Sequence, residues 1–180
     1  MKKIKFIIGI CVGLFMCGCE EMFYAWFPDY EITIGFTNNA DYALSVYSIF
    51  IGCYSEYVIY PDTSLPTKCP PQWGINNISP FSKKELFLTN KPEKIFDYYN
   101  TDTISIFVFS TDSLNGLAWE YVASNYVVLQ RYDVALNDLD SIWDQLSFPP
   151  SKAMRNIKMW PPYGTYDANG HVIKQLPNSV

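Results

Sequence analysis

The chain has 180 residues, 49% of them hydrophobic and 17% aromatic, with a formal net charge of −5. That length makes one domain the default and leaves ample apolar material for a core. The acidic balance excludes a general nucleic-acid binder, which needs a basic face, and electrostatic docking on anionic lipid.

Met1-Lys2-Lys3-Ile4-Lys5 precedes an apolar run from Phe6 to Met16. A basic start, a short apolar stretch and small residues after it predict a secretory signal over residues 1–18. The run is too short for a membrane-spanning helix, which needs about 18 apolar residues or more. "MCGC" followed by "EE" resembles the lipobox of bacterial lipoproteins. The resemblance implies that Cys19, preceded by the small Gly18, is lipidated, and that Cys17 leaves with the signal. Met16 stands where that motif usually has leucine. Acyl chains contribute about 0.8 kcal/mol per buried CH2, so a multiply acylated Cys19 implies a stable membrane anchor. Removing residues 1–18 takes away Lys2, Lys3 and Lys5 and no acid, so the formal charge of −5 becomes −8. Acidic residues directly after the lipidated cysteine resemble surface-export signals, which makes Glu20 and Glu21 an address on the outer membrane facing the cell exterior. The periplasmic face is the alternative.

Residues 19–29 are a lipidated tether, and the domain is expected over 30–164. Ile32, Ile34 and Phe36 alternate with polar or small residues and predict a strand with one buried face. "TNNAD" supplies a turn. Strands follow over Tyr42–Ile51 and Tyr54–Tyr60. Pro61, Pro66, Pro70 and Pro71 make the stretch to Gly74 irregular. Cys53 and Cys69 remain after Cys19. In an oxidising compartment they form a disulfide worth about 3 kcal/mol on the chain-entropy model, or stay as two separate buried thiols. They are too few for a zinc site.

Residues 83–89 predict a strand and 90–100 a short helix with Pro92 early in it. In "DTISIFVFS", Ile104, Ile106 and Val108 share one face and Phe107 and Phe109 the other. A strand apolar on both faces is central and covered twice. Leu117–Asn125 predicts a short helix burying Trp119, Val122 and Ala123. A strand follows over Tyr126–Tyr132, then a turn or helical turn in "NDLDSIW", a helix capped by Ser151 and a last strand in "IKMW". Residues 165–180 form a tail, with a type I′ hairpin predicted at Asn169-Gly170. Many short strands and two or three short helices predict an all-β chain, an antiparallel β-sandwich of Ig-like or transthyretin-like type, with α+β as the alternative.

The stretches "YPDTSLP", "DTISIFVFS", "VLQRYDVALNDL" and "FPPSKAMRNIKMWPPYG" resemble a group of small lipoproteins of Gram-negative gut bacteria. The resemblance covers about Tyr60 to Gly164. It implies a lipid-anchored envelope protein and brings with it no reaction, ligand or catalytic residue. Three Asp-(Ser/Thr)-apolar triplets, at Thr103, Ser113 and Ser141, resemble an O-glycosylation sequon of exported proteins in such bacteria. Ser113, expected in a loop, is the best placed of the three, and Thr103, opening a buried strand, the worst.

No nucleophile–histidine arrangement, phosphate loop or metalloprotease motif is present, and the single histidine, His171, lies in the expected tail. No enzyme, cofactor or metal is therefore expected. A hydrolase using two of Asp133, Asp138, Asp140 and Asp144 is the catalytic alternative. Aromatic rings on proline-stiffened segments point instead to a surface binding module for a glycan or protein ligand. Trp73 in "PPQWG", and Trp160 and Tyr163 in "MWPPYG", are the platform residues. A structural subunit of an envelope complex, joined through an edge strand, is the other reading.

Overall fold

The computed structural model describes residues 32–48, 60–67, 75–88, 100–142 and 144–173. Its strands are β1 (Ile32–Asn38), β2 (Leu44–Ser48), β3 (Ile75–Ile78), β4 (Ser82–Leu88), β5 (Thr103–Ser110), β6 (Gln130–Ala135), β7 (Leu146–Phe148) and β8 (Lys158–Trp160). The helices are α1 (Thr111–Gly116), α2 (Trp119–Ser124) and α3 (Leu136–Ile142). The chain is thus mostly β, in two sheets ordered β4-β1-β7 and β3-β2-β5-β6-β8. The pairings are antiparallel except β1 with β7, which run parallel, so the expectation of purely antiparallel sheets is corrected.

Alternation decides which side chains meet. Ile34, Phe36, Leu86, Leu146 and Phe148 of the smaller sheet share one apolar cluster with Leu44, Val46, Ile106, Val108, Tyr132 and Val134 of the larger. On the opposite face of β5, Phe107 and Phe109 join Tyr47, Leu65, Val122, Ala123 and Val128 in a second cluster. β5 is therefore central in its sheet and covered on both faces, as its sequence predicts. Burying each phenylalanine contributes about 1.5–3 kcal/mol.

Other expectations shift. β6 starts four residues later than its apolar run, because Tyr126 takes φ 48° in a turn and Gln130–Ala135 carries the pairing with β5. Residues 111–116, expected as a loop, form α1, with the Ser110 hydroxyl accepting from the Ser113 N–H. Ser151 precedes a short 3-10 turn, Lys152–Met154, but its side chain makes no cap hydrogen bond. Instead its N–H donates to Ser147 Oγ. The strand expected at 54–60 and the helix expected at 90–100 lie outside the described residues except for Tyr60 and Asn100, which stand in turns.

The expected tail packs onto the body as far as Ile173. Tyr166 bridges to Val172, Asp167 N–H donates to His171 O, and Gly170 N–H donates to Asp167 O. Gly170 has φ 88° whereas Asn169 is not left-handed, so the turn is a type I turn followed by a glycine bulge rather than type I′. A Cβ on Gly170 would lie 2.8 Å from the Ala40 Cβ and 3.0 Å from the Tyr42 hydroxyl. The hairpin thus sits against the β1–β2 turn, where Tyr42 OH donates to Gly170 O at 2.8 Å.

Candidate functional site

β6 carries Gln130, Tyr132 and Val134 toward the space between the sheets, so Arg131 and Asp133 face outward with Phe107 and Ser105 of β5. β8 pairs with β6 so that Trp160 stands opposite Arg131 and Lys158 opposite Asp133. One outer edge of the larger sheet therefore brings two cations and an indole together over the buried carboxylate of Asp133.

Hydrogen bonds and one ion pair tie these side chains together. Arg131 Nη1 donates to Thr63 Oγ1 at 2.6 Å and to the Tyr126 hydroxyl at 2.9 Å. Its Nε lies 3.1 Å from Asp133 Oδ1, an ion-pair contact too bent to count as a hydrogen bond. Ser105 Oγ donates to the same Oδ1 at 2.8 Å. Asp133 is fully buried and its Oδ2 has no partner, whereas the Arg131 side chain keeps 16% of its surface exposed. A buried carboxylate is costly unless paired, so Arg131 is held in place by what Asp133 would lose without it.

The segment 60–67 lies over this edge. Lys158 Nζ donates to Tyr60 OH at 2.8 Å and sits 5.0 Å from the centre of its ring. That hydrogen bond holds the Lys158 ammonium above its ordinary value. Leu65 enters the second apolar cluster, and Trp119 Nε1 donates to Pro66 O at 2.7 Å. The Trp160 ring meets Tyr126 edge-on, with centroids 5.2 Å apart, and remains 44% exposed.

The sequence-predicted residues are distributed unevenly around this site. Trp160 belongs to it, and Tyr163, also exposed, follows three residues later. Cys19, Cys53, Cys69 and Trp73 lie outside the described residues. Thr103 is buried, with its hydroxyl donating to Asp102 Oδ1 at 2.9 Å. Ser113 is half-buried in α1, and Ser141 is exposed on α3, its hydroxyl donating to Asp138 O. Of the carboxylates, Asp133 serves Arg131 on the larger sheet, whereas Asp144 pairs with Lys83 of β4 at 2.5 Å, on the smaller one. Asp138 lies on α3.

Comparison with protein-family models, with curated proteins and with solved structures gave no match. Among the described residues no group of histidine, cysteine and carboxylate side chains is placed to hold a metal ion. No helix among them is long and apolar enough to cross a membrane.

From sequence, Asp133 enters only as a candidate hydrolase carboxylate, and Arg131 and Tyr126 do not enter as site residues. The signal was present in "QRYDVA", where two opposite charges alternate with residues of an apolar face. A pair two residues apart on a strand lies on one face, and its sign pattern marks an ion pair or a site.

Proposed function

We propose that this chain is a lipid-anchored, non-catalytic binding module of the outer membrane, facing the cell exterior, with Trp160 in its ligand platform. The single observation that carries the reading is Trp160 itself. A large indole is left nearly half exposed beside a fixed guanidinium, where packing it inward was open to selection. We assign the finer fold as a β-sandwich of the Ig-like kind. The apolar cluster shared by the two sheets supports that assignment.

Strand directions put Trp160 at the end of the domain opposite the start of β1. β1 runs from the tether side to Asn38, and the short turn to Leu44 starts β2 at the far end. Through β5 and β6, β8 is aligned so that Trp160 leads into the segment packed at that same far end, where Asp41 N–H donates to Asn169 O. Seven residues of strand span about 20 Å. The basic start, apolar run and "MCGCEE" pattern support the anchor.

Two measurements test this. Metabolic labelling with a fatty-acid probe should mark the wild-type chain and leave Cys19→Ala unlabelled and unprocessed. Labelling that survives the substitution removes the anchor. The full chain in detergent micelles should bind members of a glycan and peptide array in a way that Trp160→Ala abolishes. Absence of any binding removes the module reading. O-glycosylation belongs to the same proposal, with Ser141 ahead of Ser113 by exposure and Thr103 last. An intact mass equal to protein plus lipid refutes it.

A further inference from the structure

We propose that the Arg131–Trp160 edge takes an acidic saccharide. Trp160 covers one face of a sugar ring, and Arg131 with Lys158 holds the sugar's carboxylate. The inference rests on the binding-module reading and adds the chemical class of the ligand.

Position comes first. Arg131 and Trp160 stand opposite each other in neighbouring antiparallel strands, where Cβ atoms are about 5 Å apart, close to the width of a pyranose ring. Tyr126 touches both. Its hydroxyl accepts from Arg131 Nη1 at 2.9 Å, and its ring meets that of Trp160 edge-on. The indole and the guanidinium are thereby fixed relative to one another before any ligand arrives, which lowers the ordering cost of binding.

Charge decides the class. Among the described residues, Arg131 and Lys158 face one carboxylate, Asp133, which leaves a local surplus of positive charge there in a chain whose formal charge is −5. Nε and Nη1 of Arg131 are committed to Asp133, Thr63 and Tyr126, whereas Nη2 has no hydrogen-bond partner among the described residues. Lys158 donates to the Tyr60 hydroxyl rather than to a carboxylate. A neutral glycan makes no use of that surplus. A carboxylate does, because guanidinium N–H groups match its geometry and the hydrogen bonds are charge-assisted. A sugar also offers a C–H face to the indole, which a simple anion lacks.

The test uses the full chain in detergent micelles and oligosaccharides ending in a uronic or sialic acid, each paired with its methyl ester. The ester keeps the ring and removes the charge. At least one acid form should bind about tenfold or more tighter than its ester, and the difference should shrink as salt is raised. Trp160→Ala should lower affinity about tenfold or more, as expected for a central aromatic anchor. Arg131→Gln exposes the fold to an unpaired buried Asp133, so Lys158→Glu serves as the charge variant. It should weaken binding of the acid form far more than binding of the ester. Equal affinity for acid and ester overturns the acidic class and leaves the binding module standing. Acid binding that survives both Trp160→Ala and Lys158→Glu places the ligand elsewhere and overturns the site. Failure of every saccharide and peptide to bind overturns both readings together.

Discussion

The hydroxyl of Tyr132, on β6 of the larger sheet, donates to the carbonyl of Ser147, on β7 of the smaller sheet, at 2.7 Å. Both residues are buried, so this bond crosses the apolar space between the sheets. Burial pushes the Tyr132 phenol well above its ordinary value, and it remains a donor into the alkaline range. Tyr132→Phe keeps the ring beside Phe36 and strands the Ser147 carbonyl. The expected cost is about 1–3 kcal/mol, read as a lower urea midpoint at unchanged slope. A midpoint equal to wild type would mean that water replaces the hydroxyl.

Asn38 ties the β1–β2 and β3–β4 turns together. Its Nδ2 donates to Tyr42 O, Ile78 O and Ser79 O, and its Oδ1 accepts from Ala40 N–H at 2.9 Å. The residue is fully buried. Asn38→Asp keeps the shape and the acceptor but turns the donor into an oxygen facing three carbonyls. Asn38→Ala should cost roughly 3 kcal/mol, and Asn38→Asp more than that at neutral pH. The Asp variant should recover in part as pH falls and the acid protonates. Equal stability of the two variants at pH 7 would count against this account.

His171 Nε2 lies 3.0 Å from Asp41 Oδ2 and joins the hairpin to the β1–β2 turn. The hydrogen bond to Asp41 raises the imidazole above its ordinary 6.5. The folded hairpin then binds the proton more tightly than the unfolded chain. The contribution is fully present below about 6.5 and is lost as pH rises through the raised folded value. In Asp41→Asn, the histidine titration followed by NMR should move down toward 6.5. A titration unchanged from wild type would show that Asp41 does not hold the imidazole in solution.

Phe81 stands in the β3–β4 turn at φ 51° and is 67% exposed. Left-handed backbone costs a residue with a bulky side chain about 1–2 kcal/mol, and glycine nothing comparable. Phe81→Gly gives up little packing and relieves that conformation. It should raise the thermal midpoint, or at least leave it unchanged, against the greater unfolded-state freedom of glycine. A fall of several degrees would mean that the ring makes stabilising contacts.

Several elements were legible because their signal is local. In β5 the two apolar faces are written in eight consecutive residues, and both faces are covered. In α2 the spacing of Trp119, Val122 and Ala123 marks the side that meets the second cluster. β3, by contrast, reads "INNI", four residues with no distinctive alternation. It is a strand because β2 supplies its hydrogen-bond partners. α1 escaped notice because it buries no residue, so it has no apolar stripe to read. The hairpin at Asn169-Gly170 was visible as a turn. Its packing was not, since the Ala40 and Tyr42 that receive it lie far away in sequence.

By itself, the sequence determined that this chain is β-rich and which strand lies at the centre of its sheet. Those properties follow from alternation, turn residues and composition, each readable within a few positions. Only the tertiary structure decided that Arg131 stands opposite Trp160, that Asp133 is buried against Arg131, and that Asp144 pairs with Lys83 of the smaller sheet. The reason is register. A slip of one residue in the pairing of β6 with β8 would change the neighbour of every side chain on that face. That register is set by the turns and packing of the whole molecule, so no short stretch of the chain contains it.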